Sequence, residues 1–302
     1  SMGVLAAATT ALRSKHIGEK DTEKVSVLFA QSIIVDLLIT VVVTFIGIAS
    51  IKDILIILKS NNQIISYATD YMNVIFSGSI VIFLLVTINA SLVSRGDTKS
   101  YRNVLIFSFF LNILLNPLFI YGFYLIPAMG ISGIALATIV SELIGLIYLI
   151  YKINKTEIRE YLSPECFKPK IALISDILKQ AIPSGLSMGM VGFGVFIVIY
   201  LVSSYGDFSA GGYGTGVRFE QLFLLPILGL NTATLSLVGQ NFGANNLNRI
   251  KEVYFLTLKY GISLMIIGGL IIFISSPYVM RFFSNNSDII YYGTAYLKIA
   301  AI

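Results

Sequence analysis

The chain has 302 residues; 56% are apolar, only 12% are charged, and it holds one Cys and one His. Soluble proteins average roughly 25% charged residues, so the composition excludes a soluble domain, and a single Cys and His exclude both a disulfide scaffold and a Cys/His metal cluster. The net charge of +5 is dispersed in short loops between apolar runs, which reads as membrane topology and not as a nucleic-acid surface.

In chain order, apolar runs fall at 26–49, 70–94, 102–124, 130–151, 178–204, 211–240 and 253–275, with partial runs at 2–13 and 288–302. Each complete run reaches the roughly 20 helical residues that cross a bilayer. Backbone groups in lipid must bond internally, and runs such as Val41-Val42-Val43 and Ile54-Leu55-Ile56-Ile57 lack the alternation of a β-barrel. The expected fold is therefore all-α, a polytopic membrane protein.

Basic residues gather in alternate loops. Arg13, Lys15, Lys20 and Lys24 lie in the first such loop, then Arg95, Lys99 and Arg102. Lys152, Lys155, Arg159, Lys168, Lys170 and Lys179 follow, and Arg249 and Lys251 come last. The intervening loops hold Lys52, Lys59 and Arg281. The positive-inside rule places the basic loops, and both termini of the full-length protein, in the cytoplasm against anionic headgroups. Cys166 is then expected as a reduced thiol and His16 as a solvated side chain. No glycine-rich loop ends in Lys-Ser or Lys-Thr, so no ATP site and no cofactor are expected.

The segment 152–178, with Pro164 and Pro169, is the longest polar connection. It reads as a cytoplasmic linker between an N-terminal bundle (1–151) and a C-terminal bundle (179–302). Gly206, Gly211, Gly212, Gly214 and Gly216 read equally as a flexible external loop or as a helix-packing surface.

Residues 226–302 repeat residues 1–77 at a constant offset of 225. Matched pairs include Ala8/Ala233, Thr9/Thr234, Gly18/Gly243, Asn61/Asn286, Thr69/Thr294 and Tyr71/Tyr296. A period this long implies two large halves on one plan, the layout of secondary transporters. Equal halves would need one more helix before Ser1 and three after Ile302, giving two pseudo-symmetric six-helix bundles that are incomplete in this chain.

Polar groups inside apolar helices are the functional candidates, because a charge in lipid is costly unless it meets a cavity or partner. Glu142 lies near the middle of 130–151 and Asp36 near the middle of 26–49; each is a candidate for cation or proton coupling, against a carboxyl merely hydrogen-bonded into the bundle. Asn112 and Asn116 are four apart on one face, and Pro117 frees the carbonyl of Ile113, which makes a second polar pocket. In the second half, Arg218 and Gln221 share a face, Glu220 points elsewhere, and Pro226 is expected to kink the helix. Phe193, Phe196, Tyr200, Phe219 and Phe223 line either a cleft for flat cations or the lipid. Gly239 and Gly243 with Ala244 form a small-residue face or a helix end.

Several segments together resemble the multidrug and toxic compound extrusion (MATE) family. Pro183-Ser184-Gly185 opens the helix after the linker, as in that family. Arg218-Phe219-Glu220-Gln221, Pro226 and Gly239-Gln240-Asn241-Phe242-Gly243-Ala244 follow at its spacing, and Arg95-Gly96-Asp97-Thr98-Lys99, Leu111 to Pro117 and Gly130 to Thr138 match its first half. The resemblance covers essentially the whole chain. It implies a monomeric multi-pass protein of the cytoplasmic membrane that exports amphipathic or cationic small molecules by antiport with Na⁺ or H⁺. The bundles would rock about a central cleft, with membrane lipids as the other partner and no nucleic acid. Many members carry Asp where Asn116 stands, and an amide carries no proton. The family's first-helix carboxylate would lie upstream of Ser1. A lipid-linked oligosaccharide flippase of the same wider superfamily is the alternative, although the cleft-forming runs carry few Lys or Arg. An intramembrane enzyme would need clustered His, Asp or Ser, which the sequence lacks, and a channel would not need a duplicated cleft.

Overall fold

A computed structural model describes residues 2–57, 62–124 and 126–301; Lys59 and Asn61 lie outside the described residues. The chain is helical, and the described residues form no strand beyond one isolated bridge between Phe123 and Ile126. In order, the helices are α1 (Met2–Gly18), α2 (Thr22–Ile57), α3 (Asn62–Ser77), α4 (Ser79–Ser94), α5 (Lys99–Tyr121), α6 (Ile131–Ile153), α7 (Ile158–Tyr161), α8 (Ile171–Ser203), α9 (Asp207–Gly243), α10 (Leu247–Phe283) and α11 (Ser287–Ala300). Six of them are individually long and apolar enough to cross a membrane, and α3 with α4 makes a seventh span bent by 49°. Exposed Phe45, Phe109 and Leu114 give the lipid-facing surface such a protein needs.

The chain divides into two units, Ser1–Ala181 and Ile182–Ile302. In the first, Phe29 of α2 packs with Leu85, Ile88 and Leu92 of α4 and Leu149 of α6. Val4, Leu5 and Ala8 of α1 meet Leu28 and Val35 of α2 and the start of α8 at Ile177 and Ala181. The break between α3 and α4 falls at Gly78, where an added Cβ would lie 2.5 Å from the Ile139 side chain of α6. Thr44 Oγ1 donates to the carbonyl of Phe76 at 3.1 Å and accepts from Ser79 Oγ at 2.7 Å. Hydroxyls thus replace the helical bond lost at the bend, as an apolar setting requires.

The second unit packs α9 against α10 and α11 around Ile272, Met280 and Leu297. The glycine-rich stretch is helical from Asp207 onward. Gly212 lies where a Cβ would come 2.8 Å from the backbone of both Ile289 and Gly293. It is a close-packing surface for α11, and only Gly206, at φ 109°, remains as the entry turn.

The 225-residue repeat is geometric as well as sequential. Adding 225 carries the end of α1 (Gly18) onto the end of α9 (Gly243), and the starts of α2 and α3 onto those of α10 and α11. The turns agree in detail. Lys20 (φ 60°) and Asn245 (φ 56°) are the matching left-handed residues. The bonds Asp21 N–His16 O and Asn246 N–Asn241 O also correspond. Asp21 Oδ1 accepts from Lys24 N at 3.0 Å as Asn246 Oδ1 accepts from Arg249 N at 3.2 Å, so each half starts its long helix with a side-chain cap.

The polar connection 152–178 is more ordered than its composition implies. It contains α7, a 3₁₀ turn at Pro164–Phe167 and the first turns of α8, and it belongs to the first unit. Gln31, fully buried on α2, donates to the carbonyls of Cys166 and Lys168 and accepts from Lys170 N, all at 2.8 Å. Ser26 donates to the Ile158 carbonyl at 3.1 Å, and Arg95 pairs with Glu157 at 3.1 Å.

Candidate functional site

The first unit buries a set of polar side chains within apolar helices. Asp36 of α2 is 2% exposed, and its Oδ2 has no hydrogen-bond partner. Thr40, one turn further on, is likewise buried with an unspent hydroxyl. Asn116 Oδ1 on α5 is buried and unpartnered, whereas Asn112 spends its Nδ2 on the Ser108 carbonyl at 3.1 Å. Glu142 on α6 is half-buried. Groups of this kind are normally hydrogen-bonded, so the unspent atoms are the first unit's candidates for a binding role.

Arg13 is the residue that charge pattern misplaces. Counted by sign alone it joins Lys15, Lys20 and Lys24 in a headgroup-facing loop. The structure instead continues α1 through Gly18 and buries Arg13 completely. Its Nη1 donates to the Thr87 carbonyl at 3.3 Å and to Ser91 Oγ, both on α4, and its guanidinium lies 5.6 Å from the Phe29 ring centre. Nε and Nη2 are buried without partners. The signal for this was helical spacing: Thr9, Thr10, Arg13 and Ser14 are all buried and form one polar stripe on α1.

In the second unit, the Tyr296 hydroxyl of α11 donates to Glu220 Oε2 of α9. Tyr213 meets the same tyrosine edge-on, with ring centres 4.8 Å apart. Arg218 and Gln221 are exposed on α9, away from Glu220. Phe219 and Phe223 pair edge-on at 5.4 Å and pack onto the cluster of Ile272, Met280 and Leu297. They are part of the unit's interior packing, whereas Phe193, Phe196 and Tyr200 on α8 are exposed. Pro183 and Pro226 sit inside the continuous helices α8 and α9. Gly239 and Gln240 occupy the last turns of α9, and Gly243 ends it before the Asn245 turn.

A family model described as MatE matches residues 1–118 and, a second time, residues 183–302. The chain belongs to the MatE family. The double match coincides with the two copies of the helical plan. Among relatives of this MatE chain, the probable multidrug resistance protein YpnP of Bacillus subtilis is 29% identical over 242 residues, covering 80% of this chain and 53% of the relative. The probable multidrug resistance protein NorM of Thermotoga maritima is 29% identical over 295 residues, covering 95% and 61%. The chain thus spans between about half and two thirds of the length of these relatives. A multidrug resistance MATE family transporter of the MOP superfamily, solved facing outward, superimposes with a TM-score of 0.89 at 23% identity, over 99% of this chain and 66% of that one. A MOP superfamily transporter from Pyrococcus furiosus gives 0.88 at 23% identity, over 98% and 66%. Those likenesses establish a shared all-α membrane fold.

Proposed function

We propose that the full-length protein is a secondary transporter that exports amphipathic and cationic compounds by antiport with Na⁺ or H⁺. The observation that carries this reading is the burial of ionisable and amide groups with unspent hydrogen-bonding capacity, Asp36 and Asn116 foremost, inside otherwise apolar helices. Such groups are retained in membranes where an ion or substrate uses them. The doubled helical plan supports alternating access, and the relatives' names support drug export. The charge asymmetry of the remaining basic loops supports a cytoplasmic side for them and for both termini.

The two units would divide the work. In the first, a coupling ion would be taken up at the buried polar groups. In the second, the Glu220 carboxylate with Tyr296 and Tyr213 offers one negative charge beside π faces, the chemistry that recognises an organic cation. Cells that lack their own exporters and express the full-length protein should retain less of a cationic dye than control cells. Glu220→Gln should weaken dye binding to the purified protein about tenfold. Equal retention in both cell lines would sink the export reading, and unchanged binding in the variant would remove Glu220 from recognition.

A further inference from the structure

Lys298 of α11 stands about three turns, or roughly 16 Å, along that helix from its start at Ser287. That is about half the thickness of a bilayer's hydrocarbon core. Its neighbour on α10 fixes the same depth. The Lys298 ammonium lies 5.8 Å from the ring centre of Phe273, which belongs to the uncharged run 260–280. A cation this deep is retained where it lines a cavity or meets an opposite charge.

Here it lines a cavity. Lys298 and Thr294 of α11 share an open pocket of about 460 Å³ with Arg281, in the last turn of α10. Pro277, Ile290 and the Tyr291 ring supply its apolar wall. Among the described residues neither Arg281 nor Lys298 forms an ion pair, Asp288 in the first turn of α11 included. Thr294 Oγ1 is buried without a hydrogen-bond partner. Glu220 is turned away from the pocket: it accepts from Tyr296, two residues from Lys298, and residues two apart on a helix do not share a face.

The repeated plan marks this as a built site. At the offset of 225, Thr294 and Lys298 fall on Thr69 and Asn73 of α3. Both of those also hold a buried oxygen without a partner. Each copy is therefore polar at this place. The first has Asn73 and Ile56 where the second has Lys298 and Arg281, so only the second is charged.

Two cations and a free hydroxyl call for an anionic group, and the apolar wall calls for an apolar body. A free inorganic anion brings no apolar surface to offset its dehydration. A lipid phosphate stays at the membrane surface, short of the depth of Lys298. We propose that the pocket between α10 and α11 binds amphipathic organic anions. Lys298 holds the carboxylate or sulfonate at depth, Thr294 donates to it, and Arg281 draws it in from the membrane edge. The second unit then takes cations on one side of α11 and anions on the other. The site goes beyond the export reading and stands without it.

Fluorescein, a flat aromatic carboxylate, is the probe, its polarisation read with the purified full-length protein in phosphatidylcholine nanodiscs. Saturable binding is expected, weakened about tenfold by Lys298→Gln and by Arg281→Gln and retained in Lys298→Arg, with no competition from a cationic dye. No saturable binding, or equal binding by the parent and both Gln variants, would overturn the site and leave the export reading intact. Loss of fluorescein binding on adding phosphatidylglycerol would also overturn it, by showing that a lipid headgroup fills the pocket. Saturable binding that depends on both cations, in a protein that exports no dye, would uphold the site and remove the export reading. Should Lys298→Gln fail to fold, judged by its melting temperature, Arg281→Gln carries the test with the same expected loss.

Discussion

Asp97 closes the turn between α4 and α5 by accepting from Ser100 N at 3.0 Å and from Ser100 Oγ at 2.6 Å. Partial burial opposes its ionisation, but the Ser100 bonds outweigh that, so its carboxyl titrates below the ordinary aspartate value. A lowered folded value means the contribution is present at neutral pH and fades as pH falls through it. Asp97→Ala should cost about 1 kcal/mol at neutral pH, seen as a lower melting temperature of the solubilised protein, and the difference from the parent should shrink in acid. At this scale the sequence was legible where a residue's chemistry clashed with its surroundings. Asp36 stood out as a carboxylate in an apolar run, and burial with an unspent oxygen is what the structure gives it. Arg13 did not stand out, because four cations in twelve residues satisfy the positive-inside pattern. The polar stripe it shares with Thr9, Thr10 and Ser14 turns the first of them inward, onto Thr87 and Ser91. The Glu220–Tyr296 contact was equally hidden, since it joins positions 76 apart on different helices.

Among elements, helix length and apolarity were readable, and boundaries were not. The spans run longer than the apolar cores that announced them: α2 covers 36 residues and α10 covers 37, because their polar ends continue the helix past the hydrocarbon. The linker is the clearest case. Its Lys, Glu and Pro content describes a solvated strand of chain, yet one buried glutamine with three hydrogen bonds fastens it to α2. Gln31→Ala would leave two carbonyls and an amide N–H without their partner, at about 1–3 kcal/mol for the whole contact. Cys166, buried under the same clasp, provides the readout. Its alkylation by a maleimide should be slow in the parent and accelerate in Gln31→Ala. An unchanged rate would show that the linker is held by Ser26 and the α7 packing without help from Gln31.

The whole molecule is a family member built on one helical plan used twice. Matching ends, matching left-handed turns and matching caps at a 225-residue interval show that the duplication lives in backbone geometry. It was legible because the Gly18/Gly243, Thr69/Thr294 and Tyr71/Tyr296 pairs kept their places while other positions drifted. The two copies diverged in their interiors. Where the first holds Arg13 and Asp36, the second holds Val238 and Gly261, so the buried charge pair belongs to one unit and the carboxylate–tyrosine contact to the other. That division is the physical basis for assigning ion uptake and cation recognition to different halves. The most direct test is movement of a cationic dye through liposomes that hold the purified full-length protein, with a pH gradient and a Na⁺ gradient imposed in turn. Dye transport driven by one of the two gradients is the predicted result; dye that responds to neither gradient would contradict the account.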